Sequence, residues 1–411
     1  MLPASVVVVS HGRPDALRRC LTGLAQIDYP DVEVIVVADA TSAPAVMSSG
    51  LADVIRLVRF DTPNISAARN AGVAQSTGDL IAFIDDDAVP EPRWLSHLLA
   101  PLQDGSVTVA GGFVRGRNGI SFQWRGRMVF GDGQAVPLPV KGDRPVLVQG
   151  SVGRAAKTEG TNMAVRRDAL MALGGFDPAF EFYLDETDVN LRLAARGAVT
   201  ALVPLAQVHH GYAASPRRTA GRVPRNLFQI GASLAVFLRK HGPTRNPSRV
   251  LHRAEQRRRL LGHMVAGHMM PGDVRRILAT FDAGWAAGMT RPLGQIALVE
   301  GPRDRLRFPT TVRPHDVMSG RFWQASRLRD EARARVSGGA VVTLYLFSFS
   351  GLFHRVRFTD AGVWEQSGGQ FGRSDRDAPI LTFVTARARS LREAQRVHDL
   401  RVPQVQKSNV N

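Results

Sequence analysis

Val6 to Val9 is an unbroken apolar run, the pattern of a strand covered on both faces. A turn at His11, Gly12 and Arg13 follows, then Pro14 in a first helical turn and a helix over Ala16 to Leu24. Val32 to Val37 predicts a second buried strand, ending at Ala38 and Asp39, and Asp53 to Phe60 alternates as a third. Ser66 to Gln75 predicts a helix with Ser66 as its N-cap. Leu80 to Ile84 is a fourth strand that runs into Asp85, Asp86 and Asp87, and Glu91 to Gln103 predicts another helix. Two-sided strands alternating with helices indicate a doubly wound α/β sheet, in which ligands bind beyond the carboxyl ends of the strands. Asp39 and the three aspartates fall at such ends.

The glycine-rich middle is less regular. Ser106 to Arg115 reads as a strand, Asp132 to Pro145 as a loop, and 166–173 as a helix closed by Gly174 and Gly175. Asp185 to Arg196 predicts a helix with an acidic first turn, and Val199 to Val203 a strand, followed by His209 and His210. Leu227 to Leu238 is an apolar dozen that suits a buried core helix better than one lying on a membrane surface. Mainly helical sequence continues to about residue 290. Short strands are expected at Ala340 to Phe349, His354 to Phe358, Gly362 to Gln366 and Ile380 to Ala386.

Apolar residues make up 44% of the 411 positions and charged residues 22%, which excludes wholesale disorder. The first apolar run lacks a positive n-region, and no stretch offers ~20 apolar residues of helical character. Cys20 is the only cysteine, so an intramolecular disulfide framework and a Cys-built zinc site are excluded; a reducing cytosol fits. Charge changes the picture more. Residues 1–210 hold 19 basic against 22 acidic side chains, and residues 211–411 hold 34 against 14, a balance of +20. Only four of the basic residues are lysine, so the second half is an arginine-rich unit suited to an anionic partner or surface.

Three consecutive carboxylates after an apolar strand repel one another unless a cation sits among them. Mg²⁺ or Mn²⁺, shared between carboxylates and a substrate's phosphates, would relieve Asp85, Asp86 and Asp87; a solvated acidic turn is the bland alternative. Asp185, Glu186 and Asp188 form a second cluster, which a helix N-terminus could hold for structural reasons alone. His209 and His210 offer imidazoles that could be ligands or structural.

In chain order these pieces acquire specificity. Val6 to Arg13, Val34 to Asp39, Asn64 to Gly72 and Phe83 to Asp87, followed by Gly160 to Ala164, Gly174 to Asp177 and Asp185 to Leu193, resemble a family 2 glycosyltransferase of the GT-A fold over residues 4 to about 212. The resemblance implies a mostly parallel, doubly wound α/β sheet flanked by helices. It also implies an inverting, metal-dependent transfer of sugar from a nucleoside-diphosphate donor to an acceptor hydroxyl, in cell-envelope or exopolysaccharide synthesis. Donor contacts would fall to Ser10, Asp39, Arg69, Asn70 and Asp85, with Arg69 near the diphosphate and Asp85 on the ribose. Asp87 would hold the Mg²⁺ or Mn²⁺, with His209 favoured over His210 as a further ligand. Glu186 would be the base, with Asp188 and Asp185 as alternatives, and Gly160, Thr161 and Asn162 would shape the acceptor side. Ala38 stands where the family more often has a first acidic residue.

The expected organisation is a nucleotide-sugar-binding unit over 1–212, a basic helical extension over 213–335, a small β-containing module over 336–402 and a tail over 403–411. The partners expected are the sugar donor, a saccharide or lipid-linked acceptor and, through the basic half, an anionic membrane; the place is the cytoplasm, at the inner face of the plasma membrane. A nucleotidyltransferase is the competing enzyme, though His11 to Pro14 is a poor phosphate loop. A non-catalytic binder of anionic polymers is the competing non-enzyme. No nucleic acid is expected, because the basic half lacks interleaved aromatic residues.

Overall fold

The computed structural model describes residues 1–211, 217–219, 221–242, 248–294 and 304–403. The apolar runs become strands β1 (Ala4–Ser10), β2 (Val32–Ala38), β3 (Ile55–Arg59) and β4 (Leu80–Asp85), all mutually parallel, in the order β4-β1-β2-β3. The sheet continues on the other side of β4 through strands from the middle of the chain. The middle of the chain supplies β5 (Ala88–Pro90), β6 (Val109–Arg115), β7 (Phe122–Trp124), β10 (Val146–Gln149), β12 (Met163–Arg166) and β13 (Val199–His210) to this sheet, and between them in sequence lie β8 (Arg127–Phe130), β9 (Ala135–Pro137) and β11 (Arg154–Ala156). β12 enters antiparallel between β4 and β6, and β13 lies parallel to β6. β8, β9 and β11 form a separate small sheet, so the expected loop over 132–145 contains the strand β9.

Alternation decides which side chains meet which layer. Val6, Val8, Val34 and Val36 face α1 (Pro14–Leu24) and, after the short α2 (Ala43–Met47) and α3 (Ile65–Ala74), also α4 (Trp94–Leu99). Val7, Ile35, Val37 and Phe83 face α3, α5 (Arg167–Leu173) and α6 (Asp185–Ala194). The expected α/β architecture, with helices on both faces of the sheet, is therefore present. Two local expectations give way. The N-cap of α3 is Asn64, whose Oδ1 accepts from the Ala67 N–H at 3.0 Å, while Ser66 donates to the Phe180 carbonyl. The helix expected from Glu91 starts only at Trp94, because Pro90 and Pro92 keep the chain extended before it.

The second half adds α7 (Phe228–His241), α8 (Ser248–Val265) and α9 (Pro271–Thr290). The apolar dozen is the core of α7: Leu234, Val236 and Phe237 are buried with Phe180, Leu191 and Phe281. Gly231, Gly284 and Gly288 let α7 and α9 touch backbone to backbone, since a Cβ on any of them would strike a carbonyl of the other helix. A second sheet then forms from β14 (His315–Arg321), β15 (Val341–Ser348), β16 (Arg355–Phe358) and β17 (Val363–Gly369), in the order β14-β15-β17-β16, with α10 (Ala325–Ser337) crossing between β14 and β15. β14 and most of α10 thus fall inside the stretch expected to be a helical extension. Ile380 to Ala386 forms no strand beyond a bridge at Leu381; Thr385 caps α11 (Ala386–Arg396), and α12 (His398–Arg401) follows. Residues 404–411 of the expected tail lie outside the described residues.

Candidate functional site

The loop after β1 gathers the carboxylates. Ser10 Oγ donates to Asp86 at 2.7 Å, the Gly12 N–H to Asp39 at 3.1 Å, and Arg13 pairs with Asp86 at 2.7 Å and Asp87 at 3.4 Å. Asp39 also accepts from the Ser42 N–H, and these bonds hold its carboxyl below the ordinary range despite the cost of partial burial. Burial pushes Asp86 up, with Asp87 adding repulsion and Arg13 opposing both. Asp86 Oδ1 is buried without a hydrogen bond, though Arg13 faces it as an ion pair. The bland reading of the triplet as a solvated turn therefore fails: Asp86 and Asp87 are buried.

β13 runs on well past Val203, with a shift in register between Val203 and Gln207, and delivers both histidines beside β5. Adjacent residues on a strand point to opposite faces, so the pair divides. His210 turns to Asp87, with Nε2 3.0 Å from Oδ1 and Nδ1 3.1 Å from Gln123 Oε1. His209 turns away to Glu91, 2.8 Å from its Oε1, and against the ring of Trp364. Ligand atoms of Asp85, Asp87 and His210 lie within 4.8 Å of one another, and His209, the imidazole favoured from the sequence, is not in that group. Two carboxylates and an imidazole, crowded together with Asp87 and His210 buried and Asp85 half-buried, fit a divalent cation that accepts oxygen and nitrogen donors. A cavity of about 250 Å³ opens at this cluster, lined by Asp87, His210, Arg19, Arg117, Arg355 and Val356 among others.

Arg69 links this cluster to the second acidic group. Buried on α3, it pairs with Asp85 at 3.3 Å and with Asp185. Gly160 gives it passage, because a Cβ there would collide with the guanidinium. Tyr183 and Leu184 both take left-handed φ, 78° and 66°, and turn the chain so that α6 begins at Asp185. Such conformations cost ~1–3 kcal/mol each in non-glycine residues and persist where packing imposes them. Burial pushes Asp185 up despite Arg69; Lys157 and Arg69 hold Glu186 down against the same penalty. Lys157 Nζ lies 3.1 Å from Glu186 and 2.6 Å from Glu159.

Other expected residues are occupied elsewhere. Asp188 is fully buried among Arg192, Lys240 and His241, which hold its carboxyl low against the penalty of burial. Asn70 uses both polar ends on the backbone of Phe176, and Asn162 joins Trp94, Phe113 and Ala206. Both are bolts between segments rather than open contacts. Thr161 is buried with its Oγ1 unbonded. Arg13, Lys157, Glu159 and Gln123 also stand at the candidate site, and the pattern of the sequence did not single them out as candidates. Only Arg13, in the turn after the first strand, carried a signal.

Residues 5–174 match the family described as glycosyl transferase family 2; α6 and His210 lie beyond the match and rest on geometry. The chain is 28% identical over 262 residues to the O-antigen biosynthesis protein RfbC of Myxococcus xanthus, covering 59% of this chain and 20% of that protein. It is 27% identical over 242 residues to the pre-mycofactocin glycosyltransferase of Mycobacterium tuberculosis, covering 57% and 47%. The succinoglycan biosynthesis protein ExoM of Rhizobium meliloti is 30% identical over 222 residues, covering 51% and 66%. The chain thus spans about a fifth and about half of the first two. The structure of the mannosyltransferase PcManGT from Pyrobaculum calidifontis, in complex with GDP-Man and Mn²⁺, aligns over 70% of this chain and 87% of that one, at 16% identity and a TM-score of 0.45.

Proposed function

Because residues 5–174 belong to glycosyl transferase family 2, we propose that the chain moves a sugar from a nucleoside-diphosphate donor to an acceptor hydroxyl, with inversion and with a divalent cation, in the assembly of an envelope or extracellular polysaccharide. One observation carries the reading: acidic groups from two separate segments converge through Arg69, which touches Asp85 on one side and Asp185 on the other.

In this reading residues 1–212 bind the donor. Asp39 meets the base or ribose, Ser10 holds Asp86 in place, and Asp85 and Arg69 meet the donor's ribose and diphosphate. Asp85, Asp87 and His210 would hold Mg²⁺ or Mn²⁺, which supplies positive charge against a departing diphosphate. Glu186 accepts the proton of the attacking hydroxyl. It is already a carboxylate, since Lys157 and Arg69 favour that form, and it keeps some exposure where Asp185 and Asp188 are buried. Attack and departure on opposite faces of the anomeric carbon invert it. Gly160 belongs to this machinery by giving Arg69 room. The acceptor is a saccharide or a lipid-linked saccharide, and the basic half meets an anionic membrane at the cytoplasmic face. No described helix is long and apolar enough to cross a membrane.

The test is release of nucleoside diphosphate from a panel of sugar nucleotides in Mn²⁺, comparing the natural chain with Glu186→Gln. The variant should lose turnover by ~100-fold or more, the usual contribution of a positioned base, while nucleoside diphosphate binding stays intact. Turnover at the unaltered rate would remove Glu186 from the chemistry.

A further inference from the structure

The second sheet ends on an apolar surface that the proposed transfer does not use. Its strands β14, β15 and β17 are parallel, and their register places Arg321, Phe347 and Gly368 side by side. The segments leaving their carboxyl ends therefore emerge along one edge. The first carries Phe322 and Trp323, the second Phe349, Leu352 and Phe353, the third Phe371, followed by Ile380, Leu381 and Phe383. Ring contacts join the second and third: Phe349 meets Phe371 at 5.0 Å, and Phe371 meets Phe383 at 5.5 Å. The Thr382 N–H donates to the Phe371 carbonyl at 2.9 Å, which pins the last segment to the third.

These side chains face water. Trp323 is 79% exposed, Phe349 74%, Phe353 59% and Phe383 81%. Single exposed apolar residues are ordinary, but a joined cluster drawn from two segments, with Trp323 exposed on a third, is not. Arginines border it. Arg321 lies over Phe349 at 5.9 Å and Arg373 over Phe353 at 4.5 Å, and Arg376 and Arg387 are exposed nearby in the chain. They outnumber Asp375 and Asp377 of the intervening turn.

We infer that this edge docks on an anionic lipid surface, its aromatic side chains entering the interface and its arginines meeting the headgroups. Long cationic side chains beside rings suit that boundary, with the stem among apolar groups and the charge in the polar layer. The excess of +20 over residues 211–411 supplies long-range attraction to anionic lipid. The same excess disfavours a second copy of this chain as the occupant, because a symmetric contact would press like charge against like. The edge also adjoins the candidate site. Val356 of β16 lines the cavity that reaches Asp87 and His210, and Arg376 donates to Ser121 in the segment after β6. A lipid-linked acceptor held at the surface would present its head close to that cavity. The docking itself does not rest on the transferase reading, and its test needs no sugar donor.

The experiment is co-sedimentation of the full chain with vesicles of phosphatidylcholine alone and of phosphatidylcholine mixed with phosphatidylglycerol, with light scattering in their absence. The natural chain should pellet with the mixed vesicles and only weakly with the neutral ones. A triple variant, Phe349→Ser with Phe353→Ser and Phe383→Ser, should keep its melting temperature. It should bind the mixed vesicles at least about ten-fold more weakly, as expected when large aromatic side chains no longer leave water. Arg321→Gln with Arg373→Gln should narrow the difference between the two vesicle types. Unchanged binding by the triple variant overturns the proposal, as does a natural chain that binds neither vesicle and is a dimer which the triple variant breaks. If binding follows the prediction while no sugar nucleotide is turned over, the docking surface stands and the transferase reading alone fails.

Discussion

Arg401 and Glu91 form a buried two-pronged ion pair, with Nε 2.7 Å from Oε2 and Nη2 2.9 Å from Oε1. Glu91 also accepts from His209, and Arg401 lies over the Trp364 ring at 4.4 Å and donates to Thr343. The end of the described chain is thereby locked onto β13, one residue from the imidazole that faces Asp87. Trp364 and Gln26 add a second tie, with Nε1 3.1 Å from Oε1. The C-terminal sheet is thus fastened to the unit that carries the site.

Removing one partner of such a pair leaves the other charge buried and alone. Arg401→Ala should cost ~3–5 kcal/mol, the usual penalty for breaking a buried ion pair. Urea denaturation of the two chains measures it. A loss below about 1 kcal/mol, the level of an exposed pair, would mean that water reaches the lock.

The same pair makes stability depend on pH. Arg401 and His209 hold the Glu91 carboxyl well below the ordinary range, against the penalty of burial. A folded-state value below the unfolded one means that the unfolded chain takes up the proton first. The contribution is therefore complete above the ordinary glutamate range and is lost as pH falls through and below it. In Arg401→Met this part of the acid limb of the melting temperature should flatten. An unchanged limb would assign the acid sensitivity to other groups.

Gly160→Ala tests the passage of Arg69. The added Cβ would meet a guanidinium pinned by Asp85 and Asp185, so the arginine must give up a partner. The variant should lose ~1–3 kcal/mol of stability, as overpacked sites do, and bind nucleoside diphosphate more weakly. Calorimetry reads both. Binding and melting equal to the natural chain would show that Arg69 has room to move.

Much of this site could be read from the chain alone, for reasons that also explain the misses. Strands β1, β2 and β4 are covered on both faces, so their apolar runs are continuous and unmistakable, and Asp39 and Asp85 to Asp87 follow from where those runs end. The sequence favours His209, whereas His210 is the one that turns to Asp87, because the outcome depends on which face of β13 meets β5 and β7. Asn70 and Asn162 carry family-like spacing yet act as internal bolts, a distinction that only their backbone partners reveal. The strand expected at Ile380 to Ala386 fails because its apolar side chains have no sheet to cover them. The arginine-rich α11 hides from apolar periodicity: Arg389 and Glu393 are themselves buried as a pair.

Lys157→Ala should shift the pH profile of turnover. Lys157 favours the ionised form of Glu186, so removing it raises that carboxyl, and the base is then neutralised at higher pH. The acid limb of the rate should move up by about one pH unit or more, the scale of a neighbouring charge. A limb that stays in place would separate Glu186 from the ionisation that controls the rate.

The account depends most on a cation site made by Asp85, Asp87 and His210. Calorimetric titration of Mn²⁺, with nucleoside diphosphate present, into the natural chain, Asp87→Ala, His210→Ala and His209→Ala tests it directly. The natural chain and His209→Ala should bind the ion alike, and the other two should lose binding by at least ~ten-fold, the usual cost of losing even a group that supports a ligand. Equal binding by all four, or loss in His209→Ala alone, would contradict the site.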